Sequence, residues 1–425
     1  MKKFLALLLA ACMALGMVSA ALADEPVTIT FWEWWSGAED EYLQSILKDF
    51  TAETGIVVET LPVQDMTKVM TAIAGGTPPD LCGLTSRAQL IEMARNGAAL
   101  AIDDYMARDS VTFDTFLPTI KDAYTIDGKV YGFPFLGFNF GLYWNKDLFA
   151  EAGLDPETPP QTAEELVEYA HKLTKVDENG KITQLGIPVY NWLTDQCVAE
   201  LFGGKIYDAE KGEFTLTDPA VIAALQWMRD LYEGLDPQAV ADYIASCGAQ
   251  LTPDGPFESG RIAMDYNGCW CVAFHTTNVP NLNYGTCAMP ASKDHPEKAG
   301  ASMLEYNPYF IPAGCEHPEE AWQLLKWLCT NPTVVAKFAD FCANIDHLTV
   351  LPEGYTSPLF DNPNFKTFID LANNDLQVPQ MVYPRQSECT ARLYTVQEQL
   401  RLDPSLDILE TMTALNDELN ALIHQ

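Results

Sequence analysis

The stretch Val27-Thr-Ile-Thr-Phe-Trp-Glu-Trp-Trp-Ser-Gly-Ala-Glu39 decides the fold. Its first six residues are β-branched or aromatic and predict a strand over Val27–Trp32. Ser36 followed by Glu39 has the spacing of a capping box, which predicts a helix start. Leu43, Ile46, Leu47 and Phe50 then recur at helical spacing and give that helix one apolar face. Gly55 stops it, and Ile56-Val-Val-Glu-Thr-Leu61 reads as a second strand. A second helix is expected from Asp65 to about Ala74, ended by Gly75-Gly76, and Pro79-Asp-Leu-Cys-Gly-Leu84 as a third strand. Strand, helix, strand, helix, strand is a parallel α/β unit. In such a sheet the ligand crevice lies beyond the carboxyl ends of the strands. Glu33–Ser36 and Thr85–Arg87 fall there.

The same grammar continues along the chain. Asp127-Gly128 is a hairpin turn signal that leads into a long apolar run, Val130 to Trp144. Thr162 with Glu165, Asp218-Pro219 and His317-Pro318 each open a helix, and a last helix is expected over about 405–423. A chain of 425 residues exceeds one core and should divide in two. No linker or repeat marks the division, so the chain is expected to cross between the two parts more than once.

Residues 1–23 differ from the rest. Lys2 and Lys3 precede an apolar run from Phe4 to Val18, and Ala21-Leu-Ala23 closes it. This pattern reads as a secretory signal peptide cut after Ala23. Leu9-Ala-Ala-Cys12 offers one alternative, a lipoprotein box that would anchor the protein through Cys12; an uncleaved anchor over residues 4–22, weakened by its many Ala and Gly residues, is the other. With 25 Lys and Arg against 59 Asp and Glu the formal charge is −34, and loss of Lys2 and Lys3 takes it to −36. That excludes a general nucleic-acid binder, which needs clustered cations, and argues against peripheral attachment to an anionic lipid surface. Ten cysteines remain after Cys12, in a chain long enough to stand without staples. Several occupy apolar helical positions, so free buried thiols are expected over a disulfide framework.

Three kinds of residue could carry chemistry. Trp34 and Trp35 sit just past a strand, Tyr190 and Trp192 follow Ile187-Pro188, and Trp270 follows Asn267-Gly268. Such rings offer flat faces to sugar C–H groups. Ser36, Thr85, Ser86, Arg87, Asn139 and Arg385 are polar residues at expected crevice positions, suited to hydrogen-bonding a small ligand. The sequence holds no G-x-S-x-G, no H-E-x-x-H and no phosphate-cradling glycine loop, so no catalytic residue, metal ligand or cofactor is assigned. Glu33 and Asp265 are the one carboxylate pair considered for glycoside hydrolysis.

Taken together, the segments resemble the extracellular solute-binding proteins of ABC importers, in particular the sugar-binding, maltose-binding-protein-like group. The matching stretches are Ile29–Gly37, Phe50–Val58, Ala72–Asp80, Gly128–Pro134, Leu142–Leu154 with Pro159–Thr162, Phe257–Met264 and Glu319–Trp322, in the family's order. The resemblance implies an α/β, two-lobed periplasmic-binding-protein-like fold with interleaved lobes and a hinge. One lobe would take 24–137 plus 288–342, the other 138–287 plus 343–425. By position, the ligand contacts would be Trp34, Trp35, Ser36, Thr85, Ser86, Arg87, Asn139, Tyr190, Trp192, Trp270, Tyr306, Asn307 and Arg385. The implied function is non-catalytic: an exported, extracellular or periplasmic monomer captures a carbohydrate and delivers it to a membrane permease. Arg87 and Arg385 replace an acid and an aromatic common in the family, which suggests a sugar bearing an acidic group. A secreted carbohydrate-active enzyme using a cleft carboxylate pair is the alternative. A binder of a polyamine or metal is a third, weakened by the aromatics and the scattered histidines.

Overall fold

The computed structural model describes residues 26–63, 65–190, 192 and 198–424; the expected signal segment with Cys12 and Ala23, and Cys197, lie outside them. The chain opens as expected. Strand β1 (Thr28–Glu33), helix α1 (Ala38–Thr54), β2 (Val57–Pro62), α2 (Met66–Ala74) and β3 (Leu81–Gly83) form the parallel unit. β1 pairs with both β2 and β3 in parallel register. Leu43, Ile46, Leu47 and Phe50 are all buried on α1, each worth about 2 kcal/mol of apolar burial. The Ser36–Glu39 capping box does not form. Gly37, at φ 57°, takes the N-cap position with no side-chain hydrogen bond, because the chain turns into the helix one residue later. Elsewhere the caps hold: Thr162 Oγ1 accepts from Glu165 N at 3.1 Å, and Asp218 caps its helix at Ala220 N.

After β3 come α3 (Arg87–Arg95) and a hairpin whose Asp127 and Gly128 both have positive φ, the requirement of a type I′ turn. Then follows β4 (Gly132–Asn145), the longest strand and the one that organises the molecule. Beyond it lie α4 (Ala163–Leu173), α5 (Pro219–Asp230), β5 (Met264–Gly268), α6 (Cys271–Asn278), β6 (Tyr284–Cys287) and β7 (Ser302–Phe310). The chain ends with α7 (Pro318–Thr330), α8 (Pro332–Cys342), α9 (Pro363–Ala372), β8 (Gln377–Val378), α10 (Gln386–Leu402) and α11 (Ile408–Ile423).

The main sheet runs β5-β4-β7-β3-β1-β2, with β6 also on β4 and β8 on β7. The first half of β4, Gly132 to Asn139, pairs antiparallel with β7; its second half, from Phe140, pairs with β5 and β6. One strand therefore belongs to two packing environments. A first core gathers β1 to β3 and the start of β4 against α1, α3, α7 and α8, with Phe31, Phe50, Trp322 and Phe338 fully buried. A second surrounds the end of β4 with α4, α5, α10 and α11 and holds Leu142, Trp144, Trp227 and Leu415; a smaller third cluster includes Tyr143, Phe257 and Phe368. The sheet runs through from one core to the other, as the missing linker led us to expect.

The nine described cysteines are all free, seven of them buried. Burial raises the thiol of each one for which a shift is resolved; Cys269 and Cys287 go to about 12, which makes them poor nucleophiles at neutral pH. Denatured, unreduced protein is accordingly expected to titrate with at least eight thiol equivalents, Cys197 pairing with at most one of the nine; six or fewer would require a disulfide among the nine. Among the described residues no helix is long and apolar enough to cross a membrane.

Candidate functional site

The site grows from the place where β4 changes partners. Register sets Phe138 of β4 directly opposite Glu305 of β7, and Gly268 of β5 opposite Phe140. The Glu305 side chain is almost fully buried, and the Arg87 guanidinium comes to it: Nε lies 3.6 Å from Oε2. Arg87 reaches it from the first turn of α3, where Ser86 Oγ caps the helix by accepting from Gln89 N. Its Nη2 also donates to the Gln380 carbonyl at 3.2 Å, and the Gln380 side chain accepts from Ala88 N. Glu305 Oε1 accepts from Tyr306 N. Burial pushes the Glu305 carboxyl up while Arg87 and this N–H pull it down.

On the other side of the join stands Trp270. Its ring lies edge-on to Phe138 at 5.8 Å and to Phe140 at 5.5 Å, and it stays half-buried. Gly268 makes this possible: a Cβ there would lie 2.2 Å from the indole. Gly83 does the same for Trp34, whose ring it would meet at 2.3 Å and which also packs on Tyr309 and Trp35. A line from Arg87 through Glu305 and Phe138 to Trp270 thus spans the join of the two cores.

The thirteen expected contact residues divide. Arg87 and Trp270 are brought to one surface, with Ser86 anchoring the first. Trp34 is half-buried at the end of β1; Ser36 and Thr85 are exposed beside it. Tyr190 is held by its hydroxyl, which accepts from Gln250 Nε2 at 2.9 Å. Five others are buried in this structure. Trp35 donates its indole N–H to Tyr309 Oη at 3.0 Å inside the first core. Asn139 is sealed, its Nδ2 donating to the Phe368 carbonyl at 2.8 Å. Trp192 is buried between Trp227 and Tyr266. Tyr306 points to the opposite face of the sheet from Glu305, as strand alternation demands, and Asn307 sits buried in the bulge that follows. Arg385 differs from Arg87 in its surroundings. It is exposed at φ 53°, with Nη2 2.6 Å from Glu388 Oε2, so the expected pair of free guanidinium groups is absent: each arginine already has its acid.

Glu305, Phe138, Phe140 and Gln380 were missed. The available signal for Glu305 was one acid in an otherwise uncharged run, Ala301 to Phe310. The carboxylates Glu33 and Asp265 occupy different surroundings. Burial raises Glu33 to about 8, aided by Asp40 and Glu39, and raises Asp265 to about 7, aided by Glu258.

A parallel α/β unit joined by through-running strands to a second core, with aromatic rings and a neutralised guanidinium at the join, defines the class of two-core solute-binding proteins. Residues 34–334 match the family of bacterial extracellular solute-binding proteins, and the chain belongs to that family. A maltotriose-binding protein of Pyrococcus abyssi is 25% identical over 343 residues, 79% of this chain and 69% of the relative. The solved structure of CpMnBP1 with mannotriose bound is 26% identical, with a TM-score of 0.82 over 92% of this chain and 99% of that one. An sn-glycerol-3-phosphate-binding periplasmic protein of Escherichia coli is 31% identical over 173 residues, 39% of each chain.

Proposed function

We propose that the protein captures a neutral oligosaccharide outside the membrane and hands it to the permease of an ABC importer, without chemical change. The observation that carries this reading is the half-buried Trp270 face held at the join opposite the Arg87–Glu305 pair. An aromatic plane beside fixed polar groups suits a sugar ring, apolar on its faces and hydroxylated at its rim. The relatives that bind mannotriose and maltotriose support it. The lobes would be 24–137 plus 288–342 and 138–287 plus 343–425, closing on the ligand by hinge motion at β4 and β7. Export would be directed by residues 1–23 and completed by cleavage after Ala23 or by lipidation at Cys12, and the protein would act as a monomer.

An acidic ligand is the second reading, kept because one relative binds sn-glycerol 3-phosphate. It is disfavoured by the neutralisation of both arginines. A thermal-shift series with mannotriose, maltotriose, galacturonate and sn-glycerol 3-phosphate separates the two, since a ligand of the folded state raises its stability by mass action. Stabilisation by a neutral glycan recovered intact is the expected result; consumption of the glycan, or stabilisation only by the anions, overturns it. Trp270→Ala should weaken glycan binding about tenfold, or ~1.4 kcal/mol, in calorimetry. The unliganded melting temperature should fall as well, because the ring packs on Phe138 and Phe140.

A further inference from the structure

The face of the crossing strands turned away from Glu305 and Trp270 closes a cavity of about 920 Å³. It lies between α8 and α9, with Tyr306 of β7 at one wall and the segment after α8 at another. Three polar atoms there have no protein partner although each is buried: Tyr306 Oη, Asn344 Oδ1 and Asp346 Oδ2. Tyr306 and Asn344 are each 6% exposed. Leaving a buried acceptor unmatched costs about 1–3 kcal/mol, so three around one cavity call for a common partner.

The chemistry of that partner follows from the walls. Asp340, Asp346 and Asp375 line the cavity, and none of its lining residues is Lys, Arg or His. Asp340 is already engaged by the hydroxyls of Tyr355 and Ser357, and Asp346 Oδ1 by Leu348 N. What remains without a protein partner is two acceptor oxygens and a tyrosine hydroxyl, in a negative field that no lining cation offsets. Phe360, about half exposed, and Phe365 supply apolar surface nearby. A polyol would bring lone pairs as well as donors and leave the field unchanged. An ammonium brings three donors, no acceptor and a positive charge.

We propose that this cavity binds a small primary ammonium compound with an apolar body, its three N–H groups donating to Tyr306 Oη, Asn344 Oδ1 and Asp346 Oδ2. The site is separate from the carbohydrate surface and does not rest on that reading. Burial raises Asp346 to about 6, so binding should strengthen as the pH rises from 5 to 7 and the carboxylate ionises.

Calorimetry on the whole exported chain with phenethylammonium chloride and, in parallel, 2-phenylethanol tests this. The expected result is saturable one-to-one binding of the ammonium and binding of the alcohol weaker by about tenfold or more. Tyr306→Phe and Asp346→Asn should each weaken the ammonium by about fivefold or more. Should either variant fail to fold, Phe360→Ala, on the exposed rim, must weaken it instead. No saturation by the ammonium up to about 10 mM, a range that reaches interactions weaker than −4 kcal/mol, overturns the proposal. So does equal binding of the alcohol, or affinity unchanged in the folded variants.

Discussion

Arg87→Ala should lower the unfolding free energy by about 3 kcal/mol at pH 8, the scale on which removing one partner of a buried ion pair acts. The reason is what the substitution leaves behind. Glu305 keeps its place in the middle of β7, nearly inaccessible, with the backbone N–H groups of Tyr306 and Gln380 as its remaining donors. An ionised carboxylate stranded there must stay unsolvated or take up a proton, and at pH 8 protonation is expensive. At pH 5 it is cheap, so the same variant should lose much less. Urea unfolding at the two pH values reads this difference directly; an equal loss at both would assign the effect to lost packing of the arginine stem. Adding Glu305→Gln to Arg87→Ala should return most of the stability, since the uncompensated charge then no longer exists. Carbohydrate affinity should fall with Arg87→Ala as well, because Arg87 also ties the segment at Gln380 to the first turn of α3.

The parts of the fold visible in the sequence are those governed by neighbours along the chain. Leu43, Ile46, Leu47 and Phe50 mark a helical face by spacing alone, and Asp127-Gly128 marks a turn by backbone preference alone. The absence of a linker pointed to a chain crossing between cores, and β4 does so by changing partners at Asn139 and Phe140. What escaped depends on residues far apart in sequence. Glu305 faces Phe138 only through a register set by β4 and β7, and the bulge between Tyr306 and Pro308 switches which side each neighbour faces. Tyr306 and Asn139 are assigned to the ligand surface by their position in the family, whereas both lie on the face of the sheet away from Glu305 and Phe138. The arginines illustrate a second limit. Their positions in the family pattern suggested free cations in a cleft, yet among 59 acids each found a partner, one of them 218 positions away in Glu305 and the other three positions away in Glu388.

The melting temperature should fall as pH rises from 5 to 8, and Glu33→Gln should flatten that fall. Glu33 ends β1 wholly buried, one oxygen accepting from Trp35 N and the other without a protein partner. Burial, with Asp40 and Glu39 nearby, raises it from 4.5 to about 8. Between those values the folded chain keeps a proton that the unfolded chain has released. Stability therefore falls with rising pH, by up to about 1.4 kcal/mol per pH unit for one such group. Asp265, raised to about 7, and Asp346, raised to about 6, act in the same direction over narrower windows. His347 acts oppositely. Burial lowers it to about 4, so below its unfolded value of 6.5 the unfolded chain gains a proton that the folded chain refuses, and stability falls as the pH drops. Three carboxylates against one imidazole place the optimum near the acid end of this range. Further acidification then works against Asp109, held well below the usual carboxylate range by Arg108, Lys326 and Trp322. In Glu33→Gln the amide oxygen can still accept from Trp35 N, and nothing at that position titrates. The variant should match the parent near pH 5 and exceed it by a widening margin toward pH 8. Calorimetric melting of both proteins across pH 4 to 9 measures that margin, and parallel curves would mean that Glu33 ionises in the folded chain as readily as in the unfolded one.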